Sequence, residues 1–204
     1  MREIAEISDT DGYKLVKMAR KTVTELLKNN SRISDSEFDS TFDFSSGVFV
    51  TISKQNSLRG CIGFPLPVKK LSEGLVDAAI AAATKDNRFP PLSIHELNQI
   101  VFEVTVLGVP IEINVKNSRE YLSIIKIGRD GLIVDNGYTS GLLLPQVPVE
   151  YDWNVEEFLN HTCEKAGLGY ESWKEKSTKI SRFEGVIFKE ESPNGPVIRE
   201  SITG

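Results

Sequence analysis

Apolar positions recur every three or four residues between Asp9 and Lys28. Leu15, Met18, Ala19, Thr22, Val23, Leu26 and Leu27 fall on one stripe. That spacing predicts an amphipathic helix, capped at its start by Asp9 or Thr10 and ended at Asn29-Asn30. Residues 30–46 lose the period and turn polar, so they read as a loop that Phe38, Phe42 and Phe44 pin to the body. Gly47–Lys54 is β-rich, Gln55-Asn56-Ser57 is a turn, and Leu58–Gly63 returns as a second strand, which makes a hairpin. From about Val68 to Lys85 the helical period comes back, with Leu71, Leu75, Ala78, Ala79, Ala82 and Ala83 forming a narrow face of small residues. Such a face lets another element pack closely.

The second half alternates more quickly. Ser93-Ile-His-Glu96 has the form of a capping box, with Leu92 and Leu97 as its hydrophobic staple. Gln99–Gly108 alternates as a strand and turns Glu103 to its less apolar side. Residues 109–120 read as a connection or short helix. Ile124–Ile127, Leu132–Asp135 and Ser140–Leu144 read as three short strands of a meander, separated by the turn dipeptides Asp130-Gly131 and Asn136-Gly137. Pro145-Gln146-Val147-Pro148 breaks it. Asn154-x-x-Glu157 opens a further helix that runs to Ala166, with Trp153 and Phe158 as staple and Gly167-Leu168 as a Schellman ending. Glu171–Lys176 is one helical turn, Lys179–Glu190 is a strand, and residues 192–204 form a loose tail. Helices mixed with hairpin-linked strands, without a regular strand–helix alternation, define an α+β class with mainly antiparallel sheet flanked by helices.

Composition narrows the function. The net charge of −5 argues against a general nucleic-acid footprint. The apolar runs fall far short of the roughly 20 residues that span a bilayer. Met1–Glu6 lacks the plan of a signal peptide, and two cysteines, Cys61 and Cys163, make no disulfide framework. The expectation is a cytoplasmic protein. There is no phosphate-binding loop, no dinucleotide fingerprint, no C-x-x-C and no H-E-x-x-H, so no cofactor and no metal are expected.

The candidate chemistry centres on Leu58-Arg59-Gly60-Cys61-Ile62-Gly63. In an extended segment Arg59 and Cys61 share a face, and a neighbouring guanidinium favours the thiolate. Gly60 and Gly63 allow backbone or ligand to come close. Asp86 and Arg88 follow on a segment stiffened by Pro90-Pro91, so a carboxylate there can orient an anion-binding guanidinium. Gln146 offers an amide between prolines, and Glu103 a carboxylate for an arginine or a proton. Each has a structural reading too: Cys61 as a small core residue, Asp86–Arg88 as a local staple, Glu103 as a solvated strand residue. His161 lies two positions from Cys163, hence about 200° around the helix, and reads as a surface residue; His95 reads as structural or surface, and Cys163 as core.

Leu58–Gly63, Asp86-x-Arg88-Phe89-Pro90-Pro91-Leu92, Gly128-Arg129-Asp130-Gly131-Leu132, Leu144-Pro145-Gln146-Val147 and Trp153…Phe158-Leu159…Cys163-x-Lys165-Ala166-Gly167-Leu168 occur in one order. Together they resemble the AMMECR1 family over roughly residues 10–190. The resemblance implies one α+β domain of two closely packed subdomains, one larger and one smaller. It implies a cytoplasmic prokaryotic protein, often encoded beside or fused to MEMO-like and radical-SAM proteins; eukaryotic members are associated with the nucleus. It brings no catalytic residues. Two function classes follow from the residues. One is a binding or adaptor module that takes a small anionic ligand or a partner protein at Arg59, Gly60, Gly63, Asp86, Arg88, Glu103 and Gln146. The other is an enzyme with Cys61 as catalytic nucleophile and Arg59 and Arg88 as an anion clamp. A nucleic-acid-linked role ranks third.

Overall fold

The structure is a computed structural model that describes residues 4–34, 37 and 40–201; Phe38 lies outside the described residues. The chain forms two compact units. One comprises the described residues within Met1–Leu107 and Val186–Glu200, the other those within Gly108–Gly185 and Ser201–Gly204. Both are built of antiparallel sheet and helices, the α+β class that the alternation implies.

In the first unit α1 (Asp9–Asn29) starts one residue earlier than its apolar stripe requires, because Ser8 rather than Asp9 or Thr10 supplies the cap. The Ser8 side chain accepts from the Asp11 N–H, and Asp11 returns the bond to the Ser8 N–H, which satisfies two donors that a helix start leaves orphaned. Asn30, in the left-handed region, ends the helix. β1 (Gly47–Lys54) and β2 (Ser57–Phe64) form the hairpin, α2 (Leu71–Thr84) follows, and β3 (Ile100–Leu107) pairs antiparallel with β1. The unit closes with β8 (Gly185–Glu190) and β9 (Val197–Glu200), giving the order β2-β1-β3-β8-β9. Val48, Val50 and Ile52 of β1 and Phe102, Val104 and Val106 of β3 point to the helices and make the core with Leu15, Ala19, Leu75 and Ala79. A strand has a period of two, so Phe49, Thr51, Cys61, Gly63 and Glu103 belong to the opposite face.

In the second unit β4 (Ile111–Glu112), α3 (Tyr121–Ile124), β5 (Gly131–Asp135), β6 (Ser140–Leu143), α4 (Val147–Glu150), α5 (Val155–Lys165) and β7 (Lys179–Phe183) form a sheet of order β4-β7-β5-β6 with its helices. Its core joins Leu132, Val134, Phe158, Leu159, Cys163 and Trp173. The α5 helix has the expected capping box at Asn154 and Glu157 and the expected Schellman end: the Leu168 N–H donates to Cys163 and the Gly167 N–H to Glu164, with Gly167 at φ 74°.

Three sequence expectations change. Ile124–Ile127 is not a strand: the segment ends α3 and then turns, because the buried Asp130 carboxylate accepts the Lys126 N–H at 2.8 Å. Lys179–Glu190 is two strands, β7 and β8 (Gly185–Glu190), interrupted at Glu184 and assigned to different sheets. The tail is not loose throughout, since β9 (Val197–Glu200) pairs antiparallel with β8. Its turn carries Asn194-Gly195, the same kind of tight-turn dipeptide as Asn136-Gly137, with Asn194 at φ 60°. Arg199 anchors β9 to the Asp9 carboxylate at 2.8 Å and to the Ile7 carbonyl. Among the described residues no helix is long and apolar enough to cross a membrane.

Candidate functional site

The hairpin places Leu58–Gly63 on β2, which ends the five-stranded order. An end strand exposes a row of unpaired N–H and C=O groups. Here the segment after α2 covers part of that row. Its Asp86 carboxylate accepts the Cys61 N–H at 2.9 Å. Asp86 is 5% exposed. Its two oxygens also take Arg88 in a bidentate pair, Nε to Oδ1 at 2.9 Å and Nη2 to Oδ2 at 2.7 Å, and Oδ1 accepts the Arg88 N–H at 3.2 Å. The guanidinium, and then the Cys61 and Arg88 backbone donors, outweigh burial and hold the Asp86 carboxyl far below the usual carboxylate range. The Arg88 side chain is 54% exposed and lies over the Phe89 ring.

Arg59 sits elsewhere. The β1–β2 register slips between Ile52 and Ser53, so that Gly60 and Leu58 face consecutive β1 residues and Arg59 is the extra residue of a bulge. Its guanidinium donates from Nε and Nη2 to Glu96 at 3.0 and 3.1 Å, and to the Pro90 and Pro91 carbonyls at 2.9 and 3.4 Å. Glu96 also serves its own capping box with the Ser93 N–H and takes Lys54 at 3.2 Å. These donors, Arg59 first, lower its pKa to about 2. The expectation that Arg59 primes Cys61 and clamps an anion therefore fails on geometry. Its donors are committed to Glu96 and to the Pro90 and Pro91 carbonyls, and the guanidinium charge that acts on Cys61 is that of Arg88.

The Cys61 thiol is half-buried and 3.3 Å from the Thr51 hydroxyl. Its pKa is raised: burial dominates, the Thr51 contact and the Arg88 charge pull it down, and Glu103 and Asp86 push it up. That is opposite in sign to an activated nucleophile. Thr51 pairs with Cys61 on one side and with Glu103 on the other, so the three form one row across β2, β1 and β3 on one face of the sheet. Glu103 lies 3.8 Å from Lys189 of β8, with its side chain 15% exposed, which makes it a partly buried, charge-paired residue rather than a solvated one.

The two glycines serve packing. A Cβ at Gly60 would stand 2.2 Å from the Ala82 carbonyl oxygen of α2, and one at Gly63 would stand 2.3 Å from the Phe49 ring. The small-residue face of α2 is thus matched by a missing side chain on β2. Gln146 belongs to the other unit, just before α4; its Oε1 is buried without a hydrogen-bond partner among the described residues. So the structure joins Cys61, Asp86 and Arg88 directly, sets Glu103 two strands away in the same row, and commits Arg59 to Glu96 and the Pro90 and Pro91 carbonyls.

Sequence reasoning missed Glu96 and Thr51. The capping-box Glu96 was visible, but its second role was not; Thr51 follows from counting the hairpin register. His161 is also more than a surface residue: its ring stacks on Trp153 with centroids 3.9 Å apart, and Nδ1 meets Glu164 at 2.7 Å. Among the described residues no group of three or more His, Cys, Asp or Glu is placed to hold a metal ion. A cavity of about 350 Å³ opens against α1, lined by Tyr13, Met18, Phe42 and three lysines. Two of those, Lys17 and Lys21, already pair with Glu190 and Glu37, and no motif residue lines it.

Two antiparallel sheets with flanking helices, and an aspartate that ties the glycine-rich end strand to an exposed arginine, define an α+β protein of recognisable type. The chain belongs to the AMMECR1 family, whose model matches residues 16–188. It is 48% identical over 198 residues to a protein of Methanocella arvoryzae, covering 96% of this chain and 99% of the relative. It is 46% identical over 194 residues to a protein of Methanocaldococcus jannaschii, covering 94% and 96%. The crystal structure of an uncharacterised protein from Pyrococcus horikoshii superposes with a TM-score of 0.89 at 44% identity, covering 95% of this chain and 98% of that one.

Proposed function

We propose that this chain is a binding module in which Arg88 receives an anionic group, a carboxylate or phosphate, of a small ligand or partner protein. One observation carries the reading: Arg88 is half exposed while a buried aspartate, itself fixed by the Cys61 N–H, holds its Nε and Nη2. The guanidinium is thereby oriented before any ligand arrives, which lowers the ordering cost of binding. Nη1 carries no hydrogen bond among the described residues. Arg59 is not part of the contact, so the two-arginine clamp reduces to one arginine. A carboxylate presented by a partner protein, such as the MEMO-like or radical-SAM proteins that the sequence resemblance implies, belongs to the same reading. On this proposal the protein works in a cytoplasm, where a free thiol stays reduced.

The test is thermal melting with inorganic phosphate and with glutarate. Wild type is expected to melt higher with either anion. Arg88→Ala is expected to fold yet lose that gain, Arg88→Lys to keep only part of it because the bidentate hold by Asp86 is lost, and Arg59→Ala to keep the gain from its own lower baseline. A ligand-induced shift as large in Arg88→Ala as in wild type rejects the proposal.

The enzyme reading needs a thiolate at Cys61, and the raised thiol argues against it. Iodoacetamide alkylation of Cys61 is expected to stay slower than that of free cysteine below pH 8 and to rise only above the ordinary thiol range of about 8.5. Fast alkylation at pH 6–7 revives the nucleophile.

A further inference from the structure

The segment leading into α5 carries a second constellation that the anion site does not use. Tyr151 stacks on Trp153 with centroids 5.0 Å apart and planes 19° apart, and Trp153 stacks in turn on His161 at the same angle. Tyr170 meets His161 edge-on at 6.1 Å. These four rings come from the α4–α5 turn, from α5 and from the turn beyond it, within one unit. Trp153 is partly buried against the core that holds the fully buried Phe158, and it also stacks on the neighbouring rings. Tyr151 and Tyr170 end the array and are 65% and 57% exposed.

The chain segment that carries Tyr151, Trp153 and His161 is charged with one sign. Between residues 150 and 164 the chain carries Glu150, Asp152, Glu156, Glu157 and Glu164 and no lysine or arginine. Three of the five have internal work: Glu157 closes the α5 capping box, Glu164 holds His161, and Glu156 meets Lys174 at 3.5 Å. Glu150 and Asp152, the two residues flanking Tyr151, are exposed and form no ion pair among the described residues. An exposed tyrosine whose ring is already ordered by stacking is a rigid anchor that loses little entropy on binding. Two solvated carboxylates beside it select a cation and repel phosphate.

We propose that Tyr151, backed by Trp153 and flanked by Glu150 and Asp152, is a docking point for an arginine-bearing segment of a partner protein. A guanidinium lies flat on an aromatic face and donates from its edge to carboxylates at the same time, which an ammonium cannot do. The site is independent of Arg88 and of the sign of its ligand: Arg88 offers a cation to an anion, Tyr151 an aromatic and two anions to a cation.

Isothermal titration of the full chain with hexa-arginine and hexa-lysine peptides, at fixed and then rising salt, tests this. Hexa-arginine is expected to bind more tightly than hexa-lysine. Tyr151→Ala is expected to weaken it about two- to fivefold, the range of a cation–π contact at an exposed site, and Tyr151→Phe to restore it. Asp152→Asn, which suits the φ of 54° at that position, is expected to weaken binding and flatten its salt dependence. Far-ultraviolet dichroism and the melting midpoint check that each variant is folded. Equal affinity of Tyr151→Ala and wild type, equal affinity for the two peptides, no binding of hexa-arginine, or tyrosine-dependent binding of a single-stranded oligonucleotide would each overturn the proposal.

Discussion

Glu190→Ala is expected to lose about 3–5 kcal/mol of stability, the usual cost of removing one partner from a buried ion pair. The Glu190 side chain is fully buried. It accepts Arg20 Nε at 2.7 Å and Nη2 at 2.5 Å, and the Phe102 N–H at 3.1 Å. Arg20 spends its remaining donors on the Leu97 and Ile100 carbonyls, at 3.0 and 2.6 Å, and lies over the Phe102 ring. The network thus ties α1 to β8 and to the start of β3, and every charge in it is answered. Alanine leaves the Arg20 guanidinium in a dry site with two carbonyls and no counter-charge, and strips the Phe102 N–H of its acceptor. Urea denaturation is the measurement: the midpoint falls while the slope holds, since the same surface is exposed on unfolding. Replacing both partners, Arg20→Met with Glu190→Leu, is expected to recover part of the loss: no charge is then buried unpaired, since Lys17, which also meets Glu190 at 3.4 Å, is in reach of water, but the Phe102 N–H still lacks its acceptor. A single-variant loss below about 1 kcal/mol would mean that water reaches Glu190 and that the burial argument fails.

Neither Glu190 nor Arg20 is legible in the sequence. They stand 170 positions apart, and the helical period of α1 reports only which residues are apolar. What the sequence does carry is local. The β1–β2 hairpin, α2, β3 and α5 have their signals within a window of a few residues: a turn between two β-rich runs, an alanine face, a capping box, a glycine after the last turn. The elements misread are those settled by contacts from outside the window. Ile124–Ile127 is rich in β-branched residues, but Asp130 captures the Lys126 N–H within it and bends the chain. The break at Glu184 is followed by a single Gly185, and one glycine inside an apolar, alternating run marks a weak point without saying that the chain changes sheets there. At the candidate site the residue types were visible and their pairing was not. Asp86 and Arg88 are neighbours in sequence and stayed a pair; Arg59 was assigned to Cys61 on strict alternation, which holds only without a bulge. The Asp86–Cys61 bond joins two blocks 25 positions apart, and nothing in either block states it.

That bond makes Asp86→Asn the most informative change at the site. The carboxylate accepts four hydrogen bonds, two from the Arg88 side chain and one each from the Cys61 and Arg88 backbone. An amide keeps one acceptor oxygen and presents an NH₂ to the other donors. The expected loss at neutral pH is about 2–3 kcal/mol, less than for Glu190 because Arg88, once released, is half exposed and regains water. The pH dependence separates this from a packing defect. The Asp86 pKa in the fold is depressed, so its stabilisation is complete above the unfolded carboxyl range near 4 and is lost as pH falls below it. The difference between wild type and Asp86→Asn should therefore be constant from about pH 5 to 7. Below about pH 4 it should shrink by about 1.4 kcal/mol per pH unit, as the unfolded wild-type chain takes up a proton that the folded chain refuses. A difference that keeps its neutral-pH size at pH 3 would show that Asp86 acts through shape and not charge. The anion site would then lose its basis, because a guanidinium held by shape alone has no reason to stay oriented when a competing anion reaches its exposed edge.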